Sequence, residues 1–393
     1  MTYLDHAATT PVLPEALEAF AREAQVLGNP SSLHADGRRA RASLETSRER
    51  IAAALGAESA EVILTGNGCE ADTLGVVGAH RAARAANWGR TRVVTSAVEH
   101  HAVLEAAHTL VGEGAEHAAI GVERDGVLDL GALEADLAAH AARTSLVSVM
   151  WANNETGAIQ PVEDVVALVR RYGGNAVAVH SDAVQAVGHV PLDFGASGLD
   201  ALSLSGHKLG APAGIGALIA QRTLPLAPIV LGSGQERGVR SGTVPVALAA
   251  ALAVAVEHSV AGLAAERERL TGLRDALAEG ALARLDGARL NGPAGDGRLP
   301  GHVHLSIAGV DVDALLFALD SAGVAASAGA ACVAGVTQPS HVLLAAGDDE
   351  VAARGVLRLT LGRTSTAADV ERVLVVLPEA VARARAVAGL ARR

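Results

Sequence analysis

A lysine that directly follows an apolar strand is the residue of this sequence with the clearest chemical potential. Lys208 ends the segment SGHK (205–208), which follows the predicted strand 201–205 and precedes a glycine-rich stretch. A lysine at the end of a buried strand is unfavourable unless its amine is used. A lysine amine can form a Schiff base with an aldehyde cofactor. Taken alone, Lys208 could equally be a solvated residue of a surface loop.

An aspartate at the end of the preceding predicted strand favours the cofactor hypothesis. Asp182 lies in the segment HSDAVQ (180–185), at the end of the apolar residues 176–181. Pyridoxal phosphate (PLP) needs an acid beside its pyridine nitrogen, which keeps that nitrogen protonated so that the ring accepts electrons. Ligands of α/β sheets bind at the carboxyl ends of strands. Asp182 could also cap a helix, but with Lys208 on the next predicted strand a joint PLP site is the better interpretation.

Three further segments carry residue types suited to such a site, and each also has an ordinary structural explanation. The turn 66–70 (GNGCE), between a predicted strand and a helix, could wrap a phosphate with backbone N–H groups. His100 could stack on an aromatic ring or cap the next helix. Cys332 lies in a predicted Gly/Ala-rich loop (328–335) and could act as a nucleophile once ionised, although an isolated cysteine is more often buried.

Composition argues against several other classes of protein. The chain has 393 residues, of which 50% are hydrophobic and only 2% aromatic, so we expect two domains with cores of small side chains. The net charge of -11 argues against non-specific binding to nucleic acid or anionic membrane. Two cysteines without a C-x-x-C pair indicate neither a disulfide framework nor a metal site. The sequence lacks the pattern of a signal peptide or membrane span, so we expect a cytoplasmic protein.

The elements that must position these residues alternate along the first two thirds of the chain. We predict strands at 61–65, 92–96, 145–151, 176–181, 201–205 and 214–219. We predict helices between them at 14–25, 37–55, 69–84, 101–112 and 161–172. This alternation predicts an α/β domain with a mainly parallel sheet.

The last third of the sequence has a different pattern. Residues 244–285 are almost entirely helical in pattern, and we expect a break near 260–262. Strands at 303–307 and 356–361, with helices at 312–322 and 367–390, predict a smaller α+β domain.

Seven segments between residues 3 and 363 resemble the cysteine desulfurases in order and in spacing. They are YLDHAATT (3–10), GNPSSLH (28–34), WANNETG (151–157), HSDAVQAVG (180–188), LSLSGHK (202–208), QERGVRSGT (235–243) and RLTLGR (358–363). The resemblance implies a fold-type I PLP enzyme of the class V aminotransferase family that works as a homodimer. It implies a large PLP-binding α/β domain at 14–258, with a mainly parallel seven-stranded sheet. Residues 1–13 and 259–393 would form the small α+β domain that carries the catalytic cysteine loop.

The resemblance also implies a role for each cofactor-binding residue. Lys208 would hold PLP covalently and move the Cα proton. The remaining contacts would come from His100 stacked on the ring, Asp182 at the pyridine nitrogen, Gln185 at the phenolic oxygen, Ser205, His207, Gly68 and Cys69 at the phosphate, and the partner subunit's Thr243.

The resemblance implies a sulfur-transfer reaction. Arg358 and Asn154 would bind the carboxylate of L-cysteine, and Lys208, His100 and Cys332 would be the catalytic residues. Cys332 would take the substrate sulfur as a persulfide and leave L-alanine. The residues after Cys332 resemble the longer-loop group of the family, in which the loop carries the persulfide to acceptor proteins. The resemblance implies an acceptor protein of iron–sulfur cluster assembly, tRNA thiolation or DNA phosphorothioation, and it does not select among the three.

One departure from the family and two other functions need a test. Cys69 stands where the family commonly has threonine, and because a thiol is the weaker hydrogen-bonding group we expect one softened phosphate contact but retained activity. A selenocysteine lyase, or a related C–S or C–Se lyase, would need no persulfide on Cys332. A non-catalytic scaffold is disfavoured by the presence together of Lys208, Asp182, His100, Arg358 and Cys332.

Overall fold

The computed structural model describes residues 1–329, 332–333 and 336–391, and of residues 332, 333, 336, 337 and 391 it describes the backbone alone. The strands are β1 (Thr2–Tyr3), β2 (Val62–Thr65), β3 (Arg92–Ser96), β4 (Glu116–Ile120), β5 (Thr144–Ser148), β6 (Ala178–Asp182), β7 (Ala201–Ser205), β8 (Gly216–Ala220), β9 (Ala288–Leu290), β10 (His302–Ile307), β11 (Val324–Ala325), β12 (Cys332–Val333), β13 (Val336–Thr337) and β14 (Val356–Thr360).

Helices alternate with these strands. They are α1 (Pro14–Ala24), α2 (Ala35–Leu55), α3 (Gly68–Thr73), α4 (Ala79–Ala86), α5 (His101–Gly112), α6 (Leu130–His140), α7 (Val162–Gly173), α8 (Phe194–Ser197), α9 (Gly206–Leu209), α10 (Val246–Ala261), α11 (Leu263–Arg284), α12 (Val312–Ser321), α13 (His341–Ala345), α14 (Glu350–Arg354) and α15 (Ala367–Ala391).

A seven-stranded sheet forms the centre of the protein, in the order β2-β8-β7-β6-β5-β3-β4. β8 is antiparallel to both of its neighbours, and the other six strands run in one direction. The predicted mainly parallel seven-stranded sheet is therefore confirmed. The strand β4 and the helix α6 were not among the predicted elements.

Both faces of this sheet are covered, as a mainly parallel sheet requires. Fully buried Ile51 of α2, Val169 of α7 and Leu252 of α10 belong to the core on one face. Val103 and Leu110 of α5 belong to the core on the other face. The sheet is thus a rigid platform, and the loops that follow its strands are left to carry function.

The segment predicted as one helix at 69–84 is interrupted. A π-helical stretch, Leu74–Gly78, separates α3 from α4. At Gly75 a Cβ atom would lie 2.6 Å from Cδ2 of His180, so this helix approaches β6 too closely for any side chain. The interruption lies next to the cavity described below, and π-bulges are frequent at functional sites.

A second, smaller sheet has the antiparallel order β14-β10-β9. Leu277 of α11, Leu315 of α12 and Val373 of α15 pack against it in a separate core. β1 pairs in parallel with β11, so the first residues of the chain lie with the last third. A core on the small sheet that is separate from the cores of the central sheet is consistent with the predicted division into 14–258 and 1–13 plus 259–393. The boundaries themselves stay a prediction.

The predicted break in the long helical region is confirmed. α10 ends at Ala261 and α11 begins at Leu263, with a 70° bend between them. Within the described part of the chain, no single helix has the length and apolar character to cross a membrane, and α10 and α11 satisfy that test only as a bent pair.

The predicted Gly/Ala-rich loop around Cys332 contains regular structure. β12 and β13 form a short antiparallel hairpin in which Cys332 pairs with Thr337. Val333, Val336 and Thr337 are β-branched, which favours extended backbone over an irregular loop. The side chain of Cys332 lies outside the described residues, as do residues 330, 331, 334 and 335.

Candidate functional site

A cavity of about 350 Å³ lies at the carboxyl ends of the central strands. Since six strands run in one direction, the residues that follow them meet at one edge of the sheet. The sequence-predicted site residues that line this cavity are Gly68, Cys69, His100, Asn154, Asp182, Gln185, Ser205, His207, Lys208 and Arg358. Its volume suits a small-molecule ligand.

Two predicted site residues are not part of this arrangement. Thr243 is exposed and does not line the cavity of its own chain. The side chain of Cys332 is outside the described residues. Their predicted roles therefore stay predictions.

Lys208 is the only lysine among the 32 Lys and Arg residues of the chain. It lies in α9, the single turn that follows β7, and its Nζ donates to the carbonyl oxygens of Ala7 (2.5 Å) and Ala8 (2.7 Å). Burial, and secondly the Arg358 guanidinium, lower the pKa of the Lys208 amine to about 8. About a tenth of this amine is therefore uncharged and nucleophilic at pH 7, far more than for an ordinary lysine. That the chain has a single lysine is visible in the sequence, but the prediction of Lys208 as a site residue did not use it.

Asp182 is the last residue of β6, and its side chain is buried in the cavity wall. Its Oδ1 accepts the Val184 N–H at 2.8 Å. Burial raises the pKa of this carboxyl, while His100 acts against that shift. A buried carboxylate needs a charged or hydrogen-bonding partner, and the protonated nitrogen of a pyridine ring would be one.

Asp72 is a second carboxylate in the same cavity, and it was not predicted as a site residue. It is 1% exposed, and its Oδ1 has no hydrogen-bond partner among the described residues. Burial, and secondly the charge of Asp182, raise its pKa well above the usual range. Since only one of two neighbouring carboxyls ionises readily, we assign the proton to Asp72 and the charge to Asp182.

Asp72, His100 and Asp182 are also close enough to ligate a cation. Their ligand atoms lie within 4.8 Å of one another. A metal ion is therefore the alternative occupant for this part of the cavity. A metal alone would give no role to the Lys208 amine or to the Arg358 guanidinium, which also line the cavity.

The turn before α3 approaches the end of β7 closely. At Gly68 a Cβ atom would lie 3.0 Å from Cβ of Ser205, so a side chain there would displace its neighbours. Asn67 caps α3 by accepting the Glu70 N–H at 2.9 Å, and the Glu70 carboxylate is held by Arg240 at 2.6 Å. These hydrogen bonds therefore hold the turn in one conformation. Cys69 is an exposed residue, but partial burial of its thiol, and secondly the charge of Asp72, raise its pKa, so it is a neutral thiol near pH 7.

His100 precedes α5 and caps it, since its Nδ1 accepts the Ala102 N–H at 3.1 Å. Burial lowers its pKa, so the imidazole is uncharged at neutral pH. The sequence left capping and ring stacking as alternatives. In the structure His100 caps α5, and it also lines the cavity.

Arg358 of β14 contributes its guanidinium to the cavity lining. Its Nη1 donates to the Asn154 carbonyl oxygen (2.8 Å) and its Nη2 to Oδ1 of Asp5 (3.0 Å), while Nε has no partner among the described residues. A buried guanidinium with a free N–H favours an anionic ligand such as a carboxylate. Gln185 donates from Nε2 to the Ala7 carbonyl at 3.0 Å, so the first residues of the chain close this side of the cavity.

Comparisons with known proteins identify the family of this chain. Residues 2–373 match the sequence model of the class-V aminotransferase family. An IscS-like cysteine desulfurase of Mycobacterium tuberculosis is 50% identical over 386 residues, which cover 98% of this chain and 97% of that protein. A cysteine desulfurase of Gluconacetobacter diazotrophicus is 41% identical, covering 98% and 94%. A solved NifS-like protein superimposes with a TM-score of 0.88 at 31% identity, covering 97% of this chain and 99% of that one. The chain therefore belongs to the class-V aminotransferase family of PLP-dependent enzymes and, within it, to the cysteine desulfurases.

Proposed function

We propose that this protein converts L-cysteine to L-alanine with PLP and keeps the released sulfur as a persulfide on Cys332, from which acceptor proteins take it. The observation that carries the proposal is a single cavity that holds a lysine of lowered pKa, a buried aspartate and a buried arginine with a free N–H. The names of the curated relatives support the choice of substrate.

The residues of the cavity fit the cofactor. Lys208 would hold it covalently, Asp182 would pair with the pyridine nitrogen, and the uncharged His100 would lie on the ring. Gly68 and Ser205, which both line the cavity, would contact the phosphate. When bound, PLP supplies an electron sink that stabilises negative charge at the substrate Cα.

The protein's own groups would carry the remaining steps. Arg358 binds the substrate carboxylate, and Asn154 holds Arg358 through its carbonyl oxygen. The Lys208 amine moves the Cα proton. The Cys332 thiolate attacks the substrate sulfur, so that an S–S bond forms while the Cβ–S bond breaks and its electron pair remains with carbon. Proton uptake at that carbon completes L-alanine, and Cys332 holds the persulfide.

A homodimer is part of the proposal. Thr243 lies on the exposed segment before α10, outside the cavity of its own chain. In a symmetric dimer the partner subunit's Thr243 would complete the phosphate site.

The two carboxylates of the cavity are expected to respond differently to amidation. Asp182→Asn should lower kcat by about 100-fold, because it removes the charge beside the pyridine nitrogen. Asp72→Asn should change kcat by less than about threefold, because an amide reproduces the shape of a protonated carboxyl. Steady-state alanine release by the two variants, compared at saturating PLP, measures both effects. Equal losses would contradict our assignment of the proton to Asp72.

Replacing Cys69 by threonine is expected to preserve activity and to tighten PLP binding modestly. A hydroxyl is a better hydrogen-bonding group than a thiol, so we expect the PLP dissociation constant to fall by up to about threefold. Equilibrium dialysis of the cofactor measures the change. Cys69→Val, which keeps the size but removes the polar atom, is the matched control. Weaker PLP retention by the threonine variant would mean that this turn requires cysteine.

A further inference from the structure

One turn, residues 153–156, connects the substrate end of the cavity with both flanks of the segment that carries Cys332. The turn is held internally by Asn153, whose Oδ1 accepts the backbone N–H groups of Glu155 and Thr156, each at 2.9 Å. Asn153 also donates from Nδ2 to the Val98 carbonyl oxygen at 3.0 Å. The turn is therefore fixed to the loop that presents His100.

The N-terminal flank of the Cys332 segment is attached through Arg358. Ser327 and Arg358 exchange backbone hydrogen bonds, of 2.7 Å from the Arg358 N–H and 3.2 Å from the Ser327 N–H. The Arg358 side chain in turn donates to the Asn154 carbonyl oxygen at 2.8 Å. Ser327 lies five residues before Cys332.

The C-terminal flank is attached to the next residue of the same turn. Glu155 is 2% exposed, and its Oε2 accepts the Ser340 hydroxyl at 2.5 Å. Ser340 is fully buried, lies eight residues after Cys332 and caps α13 by accepting the Leu343 N–H at 3.1 Å. A buried carboxylate is tolerated only with such partners, so this link is a strong constraint on where α13 begins.

His341 extends this attachment to the residue next to His100. Its Nε2 lies 2.9 Å from the Glu99 carbonyl oxygen, and because a carbonyl only accepts, Nε2 carries the hydrogen. Its Nδ1 lies 4.0 Å from Oε1 of Glu155. The start of α13 is thus fixed on two sides.

We infer that Glu155 is a positioning residue for sulfur transfer, because the turn that contacts the substrate-binding arginine also fixes both flanks of the Cys332 segment. The inference rests on the proposed function. Glu155 does not touch the reacting atoms. Its effect is on the placement of the thiol relative to a substrate held by Arg358, and loss of such placement lowers the rate of the chemical step rather than substrate affinity.

Removing either partner of the Glu155–Ser340 hydrogen bond tests the inference. In Glu155→Ala and in Ser340→Ala we expect kcat for alanine release to fall by about 10- to 100-fold, with KM changed by less than about threefold. The double variant should lose no more than either single variant, since both remove one interaction. Glu155→Gln, whose amide oxygen still accepts the Ser340 hydroxyl, should recover kcat to within about threefold of the wild type.

A second measurement does not depend on the loaded enzyme. The rate of iodoacetamide alkylation of Cys332 in the cofactor-free chain, followed by peptide mass spectrometry, should rise at least about twofold in Glu155→Ala. The matched control is Ser47→Ala in α2, a helix that does not line the cavity; it removes the hydrogen bond of another buried serine to the Ser43 carbonyl oxygen. This variant should leave both readouts unchanged.

The outcomes separate the inference from the proposed function. Unchanged kcat in both alanine variants, or losses that add in the double variant, would overturn the positioning role while an active wild type upholds the reaction. A wild type that releases no alanine from L-cysteine would refute the proposed function and the inference together.

Discussion

Cys332→Ser is expected to abolish alanine release from L-cysteine while the variant still retains PLP. A hydroxyl at this position is a far weaker nucleophile toward sulfur than a thiolate, so we expect kcat to fall by at least about 1000-fold. Alanine release with a reductant present measures turnover. Mass spectrometry of the protein without reductant measures the added sulfur atom, which should be found on the wild type and not on the variant.

The same variant separates the two candidate reactions. A cysteine desulfurase needs the thiol to accept sulfur, whereas a selenocysteine lyase or a related C–S or C–Se lyase does not. Equal turnover by the wild type and by Cys332→Ser, with L-cysteine or with L-selenocysteine, would exclude Cys332 as the acceptor and favour the lyase. Loss of turnover with retained cofactor absorbance supports the persulfide reaction.

Lys208→Ala is expected to lose both covalent cofactor retention and turnover. The alanine variant has no amine to hold PLP or to move the Cα proton, so we expect kcat to fall by at least about 10⁴-fold. Borohydride reduction followed by dialysis should leave the cofactor's absorbance on the wild type alone. Lys208→Arg is the matched control for charge, because its guanidinium keeps the cation but supplies no neutral amine. Full recovery by arginine would contradict a nucleophilic role.

The pH dependence of cofactor capture follows from the same residue. Burial lowers the pKa of the Lys208 amine to about 8, and the reactive form is the deprotonated one. The rate at which the cofactor-free protein captures PLP should therefore rise as pH increases through about 8 and level off above it. A rate that falls over this range would contradict the assignment.

The sequence predicted those parts of the fold that have strong local patterns. Strands β3, β5, β7 and β8 are fully buried, and their apolar runs were recognised. β4 was missed because Glu116–Ile120 is a partly exposed strand at the sheet edge, with alanine, histidine and glutamate in place of β-branched residues. The helix α6 was missed beside it because its alanines give little amphipathic pattern.

The residues of the candidate site also differ in how well the sequence predicts them. Lys208 and Asp182 were found because each ends a strand, and the parallel sheet then brings strand ends together. Asp72 was not found, because its role depends on the packing of α3 against β7 and β8, which brings Asp72 close to Asp182. Glu155 and Ser340 lie 185 residues apart, so their hydrogen bond has no local signal at all. Long-range polar contacts of this kind require the folded chain.

The unique ε-amine of this protein makes the cavity spectroscopically addressable. Because Lys208 is the only lysine in the sequence, ¹³C-labelled lysine supplied during expression would label this residue alone and leave its amine unmodified and free to react. A labelled sample would give the side-chain resonances of one residue, and those resonances report on the catalytic centre. Cofactor loading, substrate binding and pH titration could each be followed by NMR without mutagenesis or peptide assignment.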